Sequence, residues 1–292
     1  MSAVERKPLW LLPNLLSLDA PLVAVAWLHV FSRTWRLYLP WAVYASLALA
    51  VWVIYVADRL LDVSMLEGSP SKLEPRHLFH REHRKVFRTV LVLAVLVTAV
   101  LVVTMMPMAI FKYALIGGVL VAGFFGLSMI STQDSHEVAH TKNILAGITF
   151  AFGTAVMAHL YRYEFGIDAM LFSSEFICFA VLCILNISAI DLWEHASRSD
   201  DVEVKASHEL ALTLPLILLG FAALGFALTD HDIIARPGDF STRPFFHAIL
   251  TGAGLLYVLN RMRSRFSMDA LRVLADVALL VPVLVFIAAS NS

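Results

Sequence analysis

The sequence is poor in charge. Asp, Glu, Lys and Arg make up only 15% of its 292 residues, against about 25% in an ordinary soluble domain. Neither sign is in excess: Lys+Arg total 22, Asp+Glu total 23, and the formal net charge is −1. That excludes the basic field by which proteins hold nucleic acid, and no nucleic-acid partner is expected. There are two cysteines, Cys178 and Cys183, in one apolar run. They read as core-like thiols rather than as a disulfide or a metal pair. The opening MSAVERKPLWLLPNLL lacks a long apolar stretch and a small-residue cleavage site, so no cleaved signal peptide is expected. Heptads, tandem repeats and low-complexity tracts are absent.

What fills the space is apolar. Hydrophobic residues are 59% of the chain and the mean hydropathy is +0.77. A spanning helix needs about 20 mostly apolar residues, roughly 30 with its loop, so the length accommodates about nine or ten spans and little else. The expected fold is all-α: one polytopic transmembrane domain over residues 1–292, its helices bundled around a central cavity. Apolar runs bounded by charges place nine spans at 15–31, 37–57, 89–106, 109–130, 144–161, 169–190, 210–229, 245–259 and 271–289. Pro107 divides the third from the fourth.

The Lys/Arg bias orients these spans. Only Arg33, Arg36, Lys112, Arg162, Arg236 and Arg243 fall on the side of the odd-numbered loops; the rest of the 22 lie with the N-terminus and the even-numbered loops. The positive-inside rule therefore predicts a multi-pass inner- or cytoplasmic-membrane protein with a cytoplasmic N-terminus. The cytoplasmic face carries three polar cap loops, 58–88, 131–143 and 191–209, the first including a Ser-Pro turn at 67–74.

Those loops hold the chemistry. The second span ends Ile54-Tyr55-Val-Ala-Asp58-Arg59-Leu-Leu-Asp62. Carboxylates four residues apart share a helix face, repel one another without a cation, and suit Mg²⁺, which takes one or two carboxylates plus phosphate oxygens. The plain alternative is a solvated helix end. A second acidic group, Asn186-Ile-Ser-Ala-Ile-Asp191-Leu-Trp-Glu194-His195, ends the sixth span, with Asp200 and Asp201 beyond it. Two such ends on one side would suit a diphosphate held through Mg²⁺. Between them, His140-Thr-Lys142-Asn143 opens the fifth span. A cation at a helix N-terminus opposes the macrodipole and makes more sense with an anion present; a topology-setting lysine is the alternative.

In this layout the chain resembles the UbiA superfamily of intramembrane prenyltransferases. That family has nine spans, an Asp-rich motif after helix two, a lysine between helices four and five, and a second Asp-rich motif after helix six. The first motif is usually Asn-Asp-x-x-Asp-x-x-x-Asp; Asp58 and Asp62 match its last two acids, while Ile54 and Tyr55 stand for Asn-Asp. Ile187 stands where the second motif usually has an Asp, ahead of Asp191 and Glu194. The resemblance is to a divergent member. It implies a prenyl diphosphate ionised beside Mg²⁺ held by Asp58, Asp62, Asp191 and Glu194, and transfer of the prenyl group to a lipophilic, aromatic-type acceptor. Lys142, with Arg59 or Arg198, would bind the leaving oxygens, and Asn143, Asn186 and Tyr55 would contact substrate. Trp27, Trp52, Tyr55, Phe150, Phe152 and Phe179 would wall an allylic cation, though each reads first as packing.

Asp19, ahead of Ala-Pro at the entry to the first span, is either a helix cap or a base. Asp276 is expected to pair with Arg272 one turn earlier. His77, His80 and His83 form an i,i+3 stripe, read as an interfacial cap with its basic face near lipid headgroups rather than as a zinc site. Three other functions stay open: cyclisation of a prenyl diphosphate without an acceptor, transport, and non-catalytic binding of prenyl lipid.

Overall fold

The computed structural model describes residues 8–65, 75–130, 136–198, 201–229 and 241–290. Its elements are all helical. A short turn, Leu9–Leu11, leads into α1 (Leu12–Leu15), followed by α2 (Asp19–Thr34), α3 (Trp41–Met65), α4 (Pro75–Glu82), α5 (Arg84–Met105), α6 (Ile110–Ile130) and α7 (His136–His159). Then come α8 (Ile167–Leu171), α9 (Ser174–Arg198), α10 (Val202–Thr229), α11 (Arg243–Met262) and α12 (Met268–Ser290).

Among the described residues six helices, α3, α5, α6, α9, α10 and α12, are long and apolar enough to cross a membrane. The pair Leu9–Leu15 and Asp19–Thr34 makes a seventh if taken as one span bent by 81°. The protein is a multi-pass helical membrane protein. The two other expected spans fall on α7 and α11, helices of 24 and 20 residues that are less apolar. Lys142, Asn143 and His159 on α7, and Arg243, His247, Asn260 and Arg261 on α11, lower their hydropathy. The turn expected at 67–74 lies outside the described residues, as do Arg6, Lys7, Lys72, Asp200 and Arg236.

The helices run further than the apolar stretches alone suggest. Asp58 and Asp62 are on α3, Lys142 and Asn143 are in the second turn of α7, and Asp191 and Glu194 are on α9. The polar segments expected as cap loops are thus largely helical where described. A helix continues past the apolar boundary because its backbone bonds are internal and its polar side chains satisfy one another there.

The chain forms two compact units: Met1–Val25 with Pro40–Met106, and Ala26–Leu39 with Pro107–Ser292. In the first, α3 packs on α4 and α5, and α4 touches α1. The break between α1 and α2 is a turn with Ser17 at φ 58°. It is tied down by the Trp52 indole, which donates to Leu16 O at 3.0 Å. In the second unit α9 is central, packing on α7, α10, α11 and α12. Between membrane helices, close approach of small residues replaces hydrophobic drive. A Cβ built on Gly147 would lie 2.6 Å from Ile184 Cγ1, and one on Gly252 would lie 3.0 Å from Leu182. Trp27 and Phe179, with centroids 4.6 Å apart, join Phe31 and Phe245 in a fully buried aromatic cluster. The Trp27 indole donates to Leu279 O at 2.8 Å. Trp27 and Phe179 therefore serve packing, the plainer of the two expected roles. Cys178 and Cys183 are free and buried, as expected.

Candidate functional site

In the second unit, the last four turns of α9 carry Asn186, Asp191, Glu194, His195 and Arg198. Asp191 is reached from α7: Asn143 Nδ2 donates to Asp191 Oδ2 at 3.0 Å. His195 Nδ1 lies 2.8 Å from the Asp191 backbone oxygen and 3.3 Å from its Oδ1. A carbonyl oxygen only accepts, so Nδ1 carries a proton and donates it. His208 of α10 stacks beside it, ring centroids 6.3 Å apart.

Glu194 turns the other way. Its Oε1 accepts from Arg272 of α12, at 3.2 Å from Nε and 2.5 Å from Nη2. Arg272 also reaches Asp269 Oδ1 at 3.2 Å. This guanidinium is buried and Glu194 is partly so, which makes the ion bridge close to a fixed part of the fold. Arg198, 63% exposed, lies 3.9 Å from Glu194 Oε2. The two acids expected to act together are thus drawn apart, Asp191 toward α7 and Glu194 toward α12. Asn186 is buried and donates to Ala275 O at 2.8 Å, which engages its amide in the α9–α12 seam.

Lys142 sits with its ammonium 5.2 Å from the centre of the Phe124 ring on α6. The expectation that it marks a helix N-terminus is corrected: α7 begins at His136. The first-turn N–H groups lie a turn and more away from Lys142.

In the first unit, Asp58 and Asp62 are half-buried one turn apart on α3, with Asp58 Oδ1 shielded from solvent. Tyr55 is half-buried one turn earlier. Arg59 points into a buried polar knot: Nη1 donates to Asn14 O at 2.5 Å. Asn14 Nδ2 donates to Asp19 Oδ2 at 2.6 Å, and Ala20 N–H donates to Asp19 Oδ1 at 3.0 Å. Both Asp19 oxygens thus serve the start of α2. His80 is buried, 3.5 Å from Ser17 Oγ and stacked 4.1 Å from Phe87, while the exposed His83 bonds Phe79 O. The described part of the histidine stripe therefore diverges. Among the described residues no three His, Cys, Asp or Glu side chains gather as a metal cluster.

Sequence reasoning missed Asn14, the Arg272–Glu194 pair and the contact of His195 Nδ1 with Asp191. The last was accessible, since His195 follows Asp191 at i+4. Arg272 and Glu194 are far apart in sequence and carry no local signal. No family model, curated protein or solved structure matches the chain.

Proposed function

We propose that the protein is a Mg²⁺-dependent intramembrane prenyltransferase of the UbiA kind, with nine spans and its acidic helix ends on the cytoplasmic face. The observation that supports the reading is the pair of acidic helix ends, Asp58/Asp62 and Asp191/Glu194, which follow the order of the family's two Asp-rich motifs and match each in part.

The donor chemistry suits Mg²⁺. It takes hard oxygens and commonly needs only one or two carboxylates beside substrate phosphates, so a three-residue protein cluster is not required. Asp58 and Asp62 would hold it in the first unit. In the second, Asp191 would do so, with Glu194 offering Oε2 because Oε1 is held by Arg272. When bound, the metal neutralises charge developing on a departing diphosphate. The chain's own residues prepare for this. Asn143 and His195 fix the Asp191 carboxylate. Lys142 supplies a cation for the leaving oxygens. Arg272 holds the Glu194 carboxylate in place. Asp19, engaged through both oxygens, anchors α2 and is given no proton-transfer role.

The test is release of pyrophosphate from geranyl, farnesyl and geranylgeranyl diphosphate by the purified protein in nanodiscs, with a panel of quinone precursors and membrane extract as acceptors. Release that needs Mg²⁺ and is lost in Asp58→Ala and Asp191→Ala is expected. Silence with every donor and acceptor overturns the reading, and release without a prenylated product replaces it with cyclisation.

A further inference from the structure

In the first unit, α4 and the start of α5 form an almost unbroken helix. His83 N–H reaches Phe79 O at 3.1 Å and Phe87 N–H reaches His83 O at 3.0 Å, carrying the helical bonding across the junction. One line along it is buried: His80, Phe87 and Ala94, seven residues apart. His80 locks this line by stacking on Phe87 and meeting Ser17. The register thereby turns another line outward. It begins with the exposed cations Arg81, Lys85 and Arg88. Below them it becomes apolar, with Val92, Leu96 and Val103 exposed by 58%, 57% and 66%.

The charge on this face is one-sided. Between residues 75 and 105 the sequence holds a single acid, Glu82. Among the described residues, none of Arg81, Lys85 and Arg88 has an ion-pair partner. Cations one turn apart repel, so their clustering on a fixed face is unfavourable unless an anion is supplied from outside. The apolar stripe on the same face says where that anion is attached. A headgroup phosphate at the level of Lys85 and Arg88 would lay its acyl chains along Val92, Leu96 and Val103. A soluble phosphate would leave that stripe unused.

We infer that Arg81, Lys85 and Arg88 form a binding site for an anionic glycerophospholipid, whose headgroup they clasp and whose chains run down the exposed face of α5. The site does not depend on the proposed transferase chemistry. Each cation near an anionic surface contributes roughly fivefold in affinity, so the three together contribute on the order of a hundredfold. The probe is native mass spectrometry of the full chain titrated with phosphatidylglycerol or phosphatidylcholine. The wild type is compared with Arg81→Gln/Lys85→Gln/Arg88→Gln and with the control Lys112→Gln/Arg265→Gln, two exposed cations elsewhere in the chain. The expected result is tight first binding of phosphatidylglycerol over phosphatidylcholine, lost in the triple variant, kept in the control and weakened by salt. Three results overturn the inference: no headgroup preference in the wild type, equal loss in the control, or displacement by inorganic phosphate as effective as by lipid. The far-ultraviolet circular dichroism of the triple variant checks that it is folded, and Leu96→Gln, which leaves the charge intact, must weaken binding as well.

Discussion

Substituting Gly147 by alanine tests whether the α7–α9 contact sets the geometry of Asp191. The added methyl would lie 2.6 Å from Ile184 Cγ1 and 2.7 Å from both Ile184 Cα and N. A rotamer change relieves the first contact but not the other two, which are backbone. Ordinary contact starts at 3.4 Å, so the helices must part by roughly 0.7 Å. Overpacking of this kind costs about 1–3 kcal/mol, against a gain of about 0.5–1 kcal/mol for replacing a helical glycine. With two backbone contacts involved the steric cost wins, and a net loss of about 1–2 kcal/mol is expected. One turn away, the 3.0 Å bond from Asn143 to Asp191 would stretch to about 3.7 Å, beyond hydrogen-bonding range. Two internal controls exist: Gly118 and Gly126 on α6 have nothing within 4 Å of an added methyl. Gly118→Ala and Gly126→Ala should hold or gain stability by the propensity term. The assay is unfolding in mixed micelles, with a double-mutant cycle. Asn143→Ala should cost about 1 kcal/mol in the wild type and almost nothing in the Gly147→Ala background. Equal stability of Gly147→Ala and Gly118→Ala, or an unchanged Asn143→Ala cost in both backgrounds, refutes the reasoning.

Two further substitutions probe buried polar groups. Arg272→Met leaves Glu194, only 17% exposed, without its main counter-charge, and should cost about 3–5 kcal/mol. Adding Glu194→Gln should recover most of that loss, and no recovery in the double variant would mean that packing of the Arg272 stem dominates. At the end of α7, His159 is 2% exposed, its ring set edge-on to Tyr113 at 5.7 Å. Neither of its ring nitrogens has a hydrogen-bond partner among the described residues. His159→Phe keeps the ring and removes two costly polar atoms, so it should stabilise the protein by about 1–3 kcal/mol; a lower melting temperature in detergent would show that the imidazole is satisfied by a bound group.

The helical class and the long apolar segments were legible because membrane helices must satisfy their backbones internally and advertise this as apolar runs. Seven of the nine expected spans fall mainly on a single helix, while 15–31 crosses the α1–α2 break and 169–190 the α8–α9 break; the less apolar α7 and α11 show where the signal weakens. Their polar residues are met by other helices: Asn143 by Asp191 of α9, and Asn260 by the Trp193 indole at 2.9 Å and by Thr213. A hydropathy reading averages over such residues and cannot see their partners. The candidate site divides along the same line. That Asp191 and Glu194 share a helix end follows from spacing alone, since i and i+3 lie close on any helix. That they serve different neighbours does not, because the deciding partners, Asn143 and Arg272, are 48 and 78 residues away in sequence. Local periodicity thus identifies which residues are available for chemistry, and long-range polar pairing decides what each can do. Arg272 takes one oxygen of Glu194 into the fold, whereas Asp191 is fixed by the Asn143 amide and the His195 ring, with no guanidinium on it among the described residues. Of the two acids, Asp191 is therefore the one better placed to receive a cation.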